Sequence, residues 1–122
     1  MSEEAARPRK VVTAYGDGGF RIAGDRVEGS VIVFPEFFLP WPVAIKSQIR
    51  PDSFAEVIEH ANKVDILLLG CGKEPPLVSE EIRNALRPHG VIIDAMDTGA
   101  ACRTFNILLA EGRAVAAALI AI

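Results

Sequence analysis

Asp97, Thr98, Gly99 and Ala100 form the string that aspartic proteases carry around a catalytic aspartate. That chemistry needs two carboxylates sharing one proton, supplied by two such loops on a mostly β scaffold. The chain carries one copy, and an amphipathic segment starts directly behind it. A short motif counts only in its structural context, so the protease reading is rejected. Helix initiation accounts for the same residues. The Asp97 carboxylate or the Thr98 hydroxyl can accept from the unpaired N–H groups of a first turn, where negative charge suits the helix dipole.

A second glycine-rich stretch, Gly70-Cys71-Gly72-Lys73-Glu74, resembles a phosphate loop. It fails residue by residue. A Walker loop needs GxxxxGK followed by Ser or Thr, whereas Leu67 stands at the first glycine position and Glu74 follows Lys73. Position still favours this loop, because ligands in open α/β sheets bind beyond the carboxyl ends of parallel strands. Gly70, Cys71, Gly72 and Lys73 follow one apolar strand and Met96, Asp97 and Thr98 follow another, so the two loops are expected to form a crevice. Such a crevice could hold a small anion. Arg103 and Asn106, three apart on one helix flank, extend the polar group around Asp97 for either structure or binding. These nine residues are the candidate ligand crevice.

No nucleophile and base come together. Cys71 precedes the second helix and His89 ends it, and about ten helical residues separate those ends by about 15 Å. His60 and His89 suit helix C-termini electrostatically. Cys71 and Cys102 form no CxxC pair and no metal-ligand spacing with the histidines, and read as free, partly buried thiols. No catalytic residue, metal ligand or cofactor is assigned.

The elements that position these residues fall into two halves. From Val11 to about Ile45 the signals are strand and turn: VVTAY and FRIAG separated by GDGG, then the β-branched run SVIVF closed by Pro35. The following PEFFLPWPV sets Phe37, Phe38, Leu39 and Trp41 among three prolines, which predicts a proline-braced loop. It reads either as a lid on the core or as an aromatic protein-contact patch of Phe37, Phe38 and Trp41.

After Arg50 helices and strands alternate. Ser53 and Glu56 form a capping box for a helix to about Ala61. VDILLLG predicts a buried strand, SEEIRNALRPHG a helix stopped by Pro88 and Gly90, and VIIDAM a strand parallel to the first. Residues 98–111 place Ala101, Phe105, Leu108 and Leu109 on one helical face. The run AVAAALIAI suits a central strand covered on both faces. The fold class is α/β, a three-layer sandwich with a mixed, roughly five-stranded central sheet preceded by a small β-meander.

The chain has 122 residues, half of them apolar, enough for one domain with a core. Residues 1–10 are expected to form a disordered tail and 11–122 a single domain. The 13 basic and 16 acidic residues leave a net charge of −3 with no block of one sign, which argues against a nucleic-acid partner. The longest apolar run, Ala114–Ile122, is far short of the roughly 20 residues of a membrane span, and residues 1–10 lack a signal-peptide pattern. A soluble, cytoplasmic chain is expected.

LLLGCGK and VIIDAMDTGAACRTFNILLAEGRAVAAAL together resemble the Mth-type uncharacterised domain family, a domain of unknown function whose mitochondrial member is an assembly factor of respiratory complex I. The likeness runs from about Val11 to Ile122. It is most specific at Met96, Asp97, Thr98, Ala101, Arg103, Thr104, Asn106, Leu108, Glu111 and Arg113. The family's usual GTG stands here as Gly70-Cys71-Gly72, which argues against an essential hydroxyl at position 71. The resemblance implies the same three-layer fold, no established catalytic residue, and a non-catalytic helper acting through an unidentified protein partner in building respiratory or other membrane complexes.

Overall fold

The computed structural model describes residues 9–122. The expected tail lies outside the described residues except for Arg9 and Lys10, and the Lys10 N–H donates to the Pro35 carbonyl at 3.0 Å. The chain opens with an antiparallel meander of β1 (Val12–Gly16), β2 (Gly19–Ile22) and β3 (Asp25–Glu28). Each hairpin turns on two residues with positive φ, Asp17-Gly18 and Ala23-Gly24, the backbone sense that matches strand twist. The sequence reading found the first two strands; β3 is charged and three of its four residues are exposed, so it carries no apolar alternation to betray it.

β4 (Val31–Val33) leaves the meander for a second sheet, joined by β5 (Phe38–Pro40), β6 (Ile66–Gly70), β7 (Ile92–Met96) and β8 (Val115–Leu119). Their order is β5-β4-β8-β6-β7. β6 is parallel to β7 and β8, whereas β4 is antiparallel to β5 and β8. The sheet is therefore mixed and five-stranded, with the alanine-rich β8 at its centre, as its composition implied.

Alternation along β8 assigns the layers. Val115, Ala117 and Leu119 face α3 (Thr98–Ala110) and the meander, meeting Phe20, Ile22, Phe105 and Leu109. Ala116, Ala118 and Ile120 face the opposite core, with Phe54 and with Val57, Ile82 and Leu86 from α1 (Ala55–Glu59) and α2 (Glu80–Leu86). Small side chains on β8 let both helical layers approach a strand whose residues are all buried.

Two local expectations are corrected. Ser53 does not cap a helix: its Oγ accepts from the Arg50 N–H at 2.9 Å, and the chain turns through a 3-10 stretch from Pro51 to Phe54 before α1 begins. Proline at the first position favours that early turn. PEFFLPWPV is not wholly irregular, since Phe38–Pro40 pairs with β4 in the register Val33↔Phe38 to Val31↔Pro40. An edge strand tolerates the flanking prolines.

Candidate functional site

The loops after β6 and β7 do emerge side by side, as parallel neighbours must. The Cys71 N–H donates to the Met96 carbonyl at 2.8 Å, and the Thr98 N–H to the Gly72 carbonyl at 3.3 Å. The buried Thr98 hydroxyl accepts from the Gly72 N–H and donates to the Ile120 carbonyl, both at 2.8 Å. One hydroxyl thus holds the ends of β6 and β8 to the start of α3. A Cβ on Gly70 would stand 3.0 Å from Leu119 Cδ2 and 3.1 Å from both Cα and Oγ1 of Thr98, a tight fit that favours glycine there. Three hydrogen bonds thus join the 70–74 and 96–98 loops directly.

Asp97 is a helix cap. Its Oδ1 accepts from the Ala100 N–H at 2.8 Å in an extended backbone conformation suited to that place. Asn106 resolves the puzzle of an amide inside a helix: Oδ1 accepts from the Val12 N–H at 2.9 Å and Nδ2 donates to the Val12 carbonyl at 2.7 Å. The pair mimics a ladder and pins β1 to α3. Arg103 Nη1 donates to the Tyr15 hydroxyl at 3.3 Å. Asp97, Arg103 and Asn106 therefore face three different partners rather than one ligand. Among the described residues, no buried side-chain nitrogen or oxygen lacks a hydrogen-bond partner.

Open space at the strand ends lies elsewhere. A cavity of about 390 Å³ is bordered by Ile45, Lys46, Cys71, Gly72, Lys73 and Ile120. It keeps Cys71, Gly72 and Lys73 from the expected group and excludes Gly70, Met96, Asp97, Thr98, Arg103 and Asn106. Lys46 Nζ donates to the Pro75 carbonyl, closing one side. Lys46 was missed because nothing in its local sequence reports that the 44–48 turn folds back onto the β6 loop.

Both thiols are fully buried rather than partly so. Burial pushes the Cys71 thiol above its ordinary value despite the nearby Lys46 charge, and pushes Cys102 up to about 12. Neither forms a thiolate near neutrality, the species a nucleophile requires. Cys71 packs in the core with Leu69 and Ile120, which accounts for a residue without a hydroxyl between the two glycines. His60 sits at the end of α1 with Nδ1 2.9 Å from the Glu56 carbonyl, and its ring rests against Phe34 and Phe37. No group of three metal-ligating side chains occurs among the described residues.

The aromatic patch divides. Trp41 is buried, its Nε1 donating to the Ser53 carbonyl at 2.8 Å and its ring 5.7 Å from Phe54, so it is a core residue and offers no contact surface. Phe37 and Phe38 are half-buried. Phe37 stacks on Phe34 with ring centroids 4.4 Å apart, beside a hollow of about 500 Å³ rimmed by Arg9 and Lys63.

Comparison with known proteins matches residues 12–120 to a family described as a protein of unknown function (DUF498/DUF598). A human protein named NADH dehydrogenase [ubiquinone] 1 alpha subcomplex assembly factor 3 is 32% identical over 120 residues, 98% of this chain and 65% of that protein. The chain thus spans just under two thirds of the human relative's length. An uncharacterised protein of Rhodobacter capsulatus is 35% identical over 89% of this chain and 82% of its own length. The solution structure of a Mth938-like domain from Bordetella pertussis superposes with a TM-score of 0.82 at 31% identity, covering 92% of this chain and 85% of that one.

Proposed function

Since the chain belongs to the DUF498/DUF598 family, we propose that it acts through protein–protein contacts as a helper in assembling a larger complex, a membrane-bound respiratory complex in particular. The observation that carries this reading is the match of almost the whole chain to a relative named as a complex I assembly factor. The geometry supports it from another side. Thr98, Arg103 and Asn106 tie α3 to β1 and to the ends of β6 and β8, and Asp97 caps α3. Their work is to build a rigid body that presents a surface. No helix of the described residues is long and apolar enough to cross a membrane.

The test is proximity crosslinking of the tagged chain in the host that encodes it, followed by identification of the captured proteins. Subunits or assembly intermediates of one complex, enriched over an unrelated tagged domain of similar size, are expected. Capture of no such set contradicts the reading.

A second reading places a small anionic ligand in the cavity at the ends of β6 and β8, favoured by the presence of Lys46 and Lys73 on its border against one carboxylate, Glu74. A saturable thermal shift with organic acids, lost in Lys73→Ala, is its signature. A shift that persists in that variant rejects the site.

A further inference from the structure

We infer that the free edge of β7 is the docking surface, and that it takes an extended, acidic segment of a partner protein by strand addition beside Arg83 and Arg87. This inference rests on the contact-module reading and supplies its surface. β7 ends the five-stranded sheet, with β6 on one side only. The Ile92 N–H donates inward to the Asp65 carbonyl, and the Met96 carbonyl accepts inward from Cys71. Backbone direction alternates along a strand, so the N–H and carbonyl groups of Ile93 and Ala95 point outward.

A row of outward backbone groups is a template for another strand unless it is covered. The opposite edge strand, β5, has three residues and ends in Pro40; of the meander's two outer strands, β3 is charged and β1 has its Val12 N–H and carbonyl taken by Asn106. β7 has five residues and no proline, and its one charge, the exposed Asp94, lies on the face opposite Ile93 and Ala95. Among the described side chains, Arg83 alone bonds to its outer row, with Nη1 donating to the Ile93 carbonyl at 3.0 Å. A side-chain donor of this kind can be exchanged for the N–H of an incoming strand, a common mode of peptide recognition.

Charge identifies the partner. A shallow groove of about 140 Å³ beside the edge is bordered by Arg83, Arg87, Val91, Ile92 and Ile93, two cations and no carboxylate. Arg87 reaches only Asn84, at 2.8 Å, and is exposed. Carboxylates projecting from an added strand would find Arg83, once displaced, and Arg87 as bidentate partners. Ile92, 68% exposed on the other face of the same strand, gives the segment an apolar neighbour.

The experiment titrates the full chain with fluorescent short peptides of alternating threonine and glutamate, with threonine–lysine peptides of equal length as the contrast. Amide hydrogen exchange at Ile93 and Ala95 is read in parallel. The threonine–glutamate peptide should bind saturably and slow exchange at both amides. Binding should weaken about tenfold in Arg87→Glu, which breaks no backbone bond, and should weaken with added salt. Absence of binding would make Arg83 a fixed guard of the edge and overturn the inference. So would equal binding of the lysine peptide, protection at other amides, or a concentration-dependent dimer that protects Ile93 and Ala95 without peptide. If crosslinked partners are retained in Arg87→Glu, the edge is not the surface although the contact reading stands. If no complex is captured while the peptide binds as described, the edge is a strand-addition site and the assembly reading falls.

Discussion

The Asp97 carboxylate and the Asn106 amide are each engaged by backbone, which gives each a measurable weight. Asp97→Ala should lower stability by about 1 kcal/mol in denaturant unfolding, as lost caps do, while Asp97→Asn should keep most of it. Asn106→Ala leaves the Val12 N–H and carbonyl without that partner and should cost about 2 kcal/mol. The cap was legible in the sequence, because Asp97 stands one residue before the segment that carries an apolar helical stripe. The Asn106 partner was not, since a residue 94 positions away supplies it. The thiols give a pH test. Cys102 holds its proton up to about 12 in the folded chain and releases it near 9.0 when unfolded, so the unfolded state binds fewer protons as pH rises between those values. Stability is therefore unaffected by this group below pH 9 and falls between 9 and 12. A Cys102→Ala variant should show a shallower alkaline decline, and native Cys102 should resist alkylation at neutral pH.

Elements were legible where apolar pattern and length agree. β6, β7, α3 and β8 fall close to their expected bounds because a buried parallel strand and a core-facing helix write their periods into the chain. β5 and the turn ahead of α1 were not legible, since local proline chemistry argued for irregular structure and only pairing with β4 reveals a strand. Trp41 was open to two readings for the same reason: its burial depends on Ser53 and Phe54, which fold over it from a later turn. Gly19 offers an element-level test. A Cβ there would lie 2.3 Å from the Val27 carbonyl across β2 and β3. Gly19→Ala should destabilise by about 1–3 kcal/mol and shift the amide resonances of the meander more than those of β6–β8.

At the scale of the molecule, β8 separates two cores that share no buried side chain but are joined through its backbone, with one helical layer and a meander on one face and two shorter helices on the other. The start of α3 sits in the seam among these parts, and Thr98, Arg103 and Asn106 join elements there. A rigid body with β7 open at its edge follows from that arrangement. The proposed function rests on the resemblance, because contact surfaces leave no spacing rule of the kind that catalytic or metal sites leave. The measurement that bears most directly on the central claim is the amount of assembled respiratory complex I on native gels in cells lacking this chain, restored with wild type or with Asp97→Asn plus Lys73→Ala. The account predicts a deficit on loss of the chain, repaired equally by both forms. Normal complex levels without the chain would contradict it.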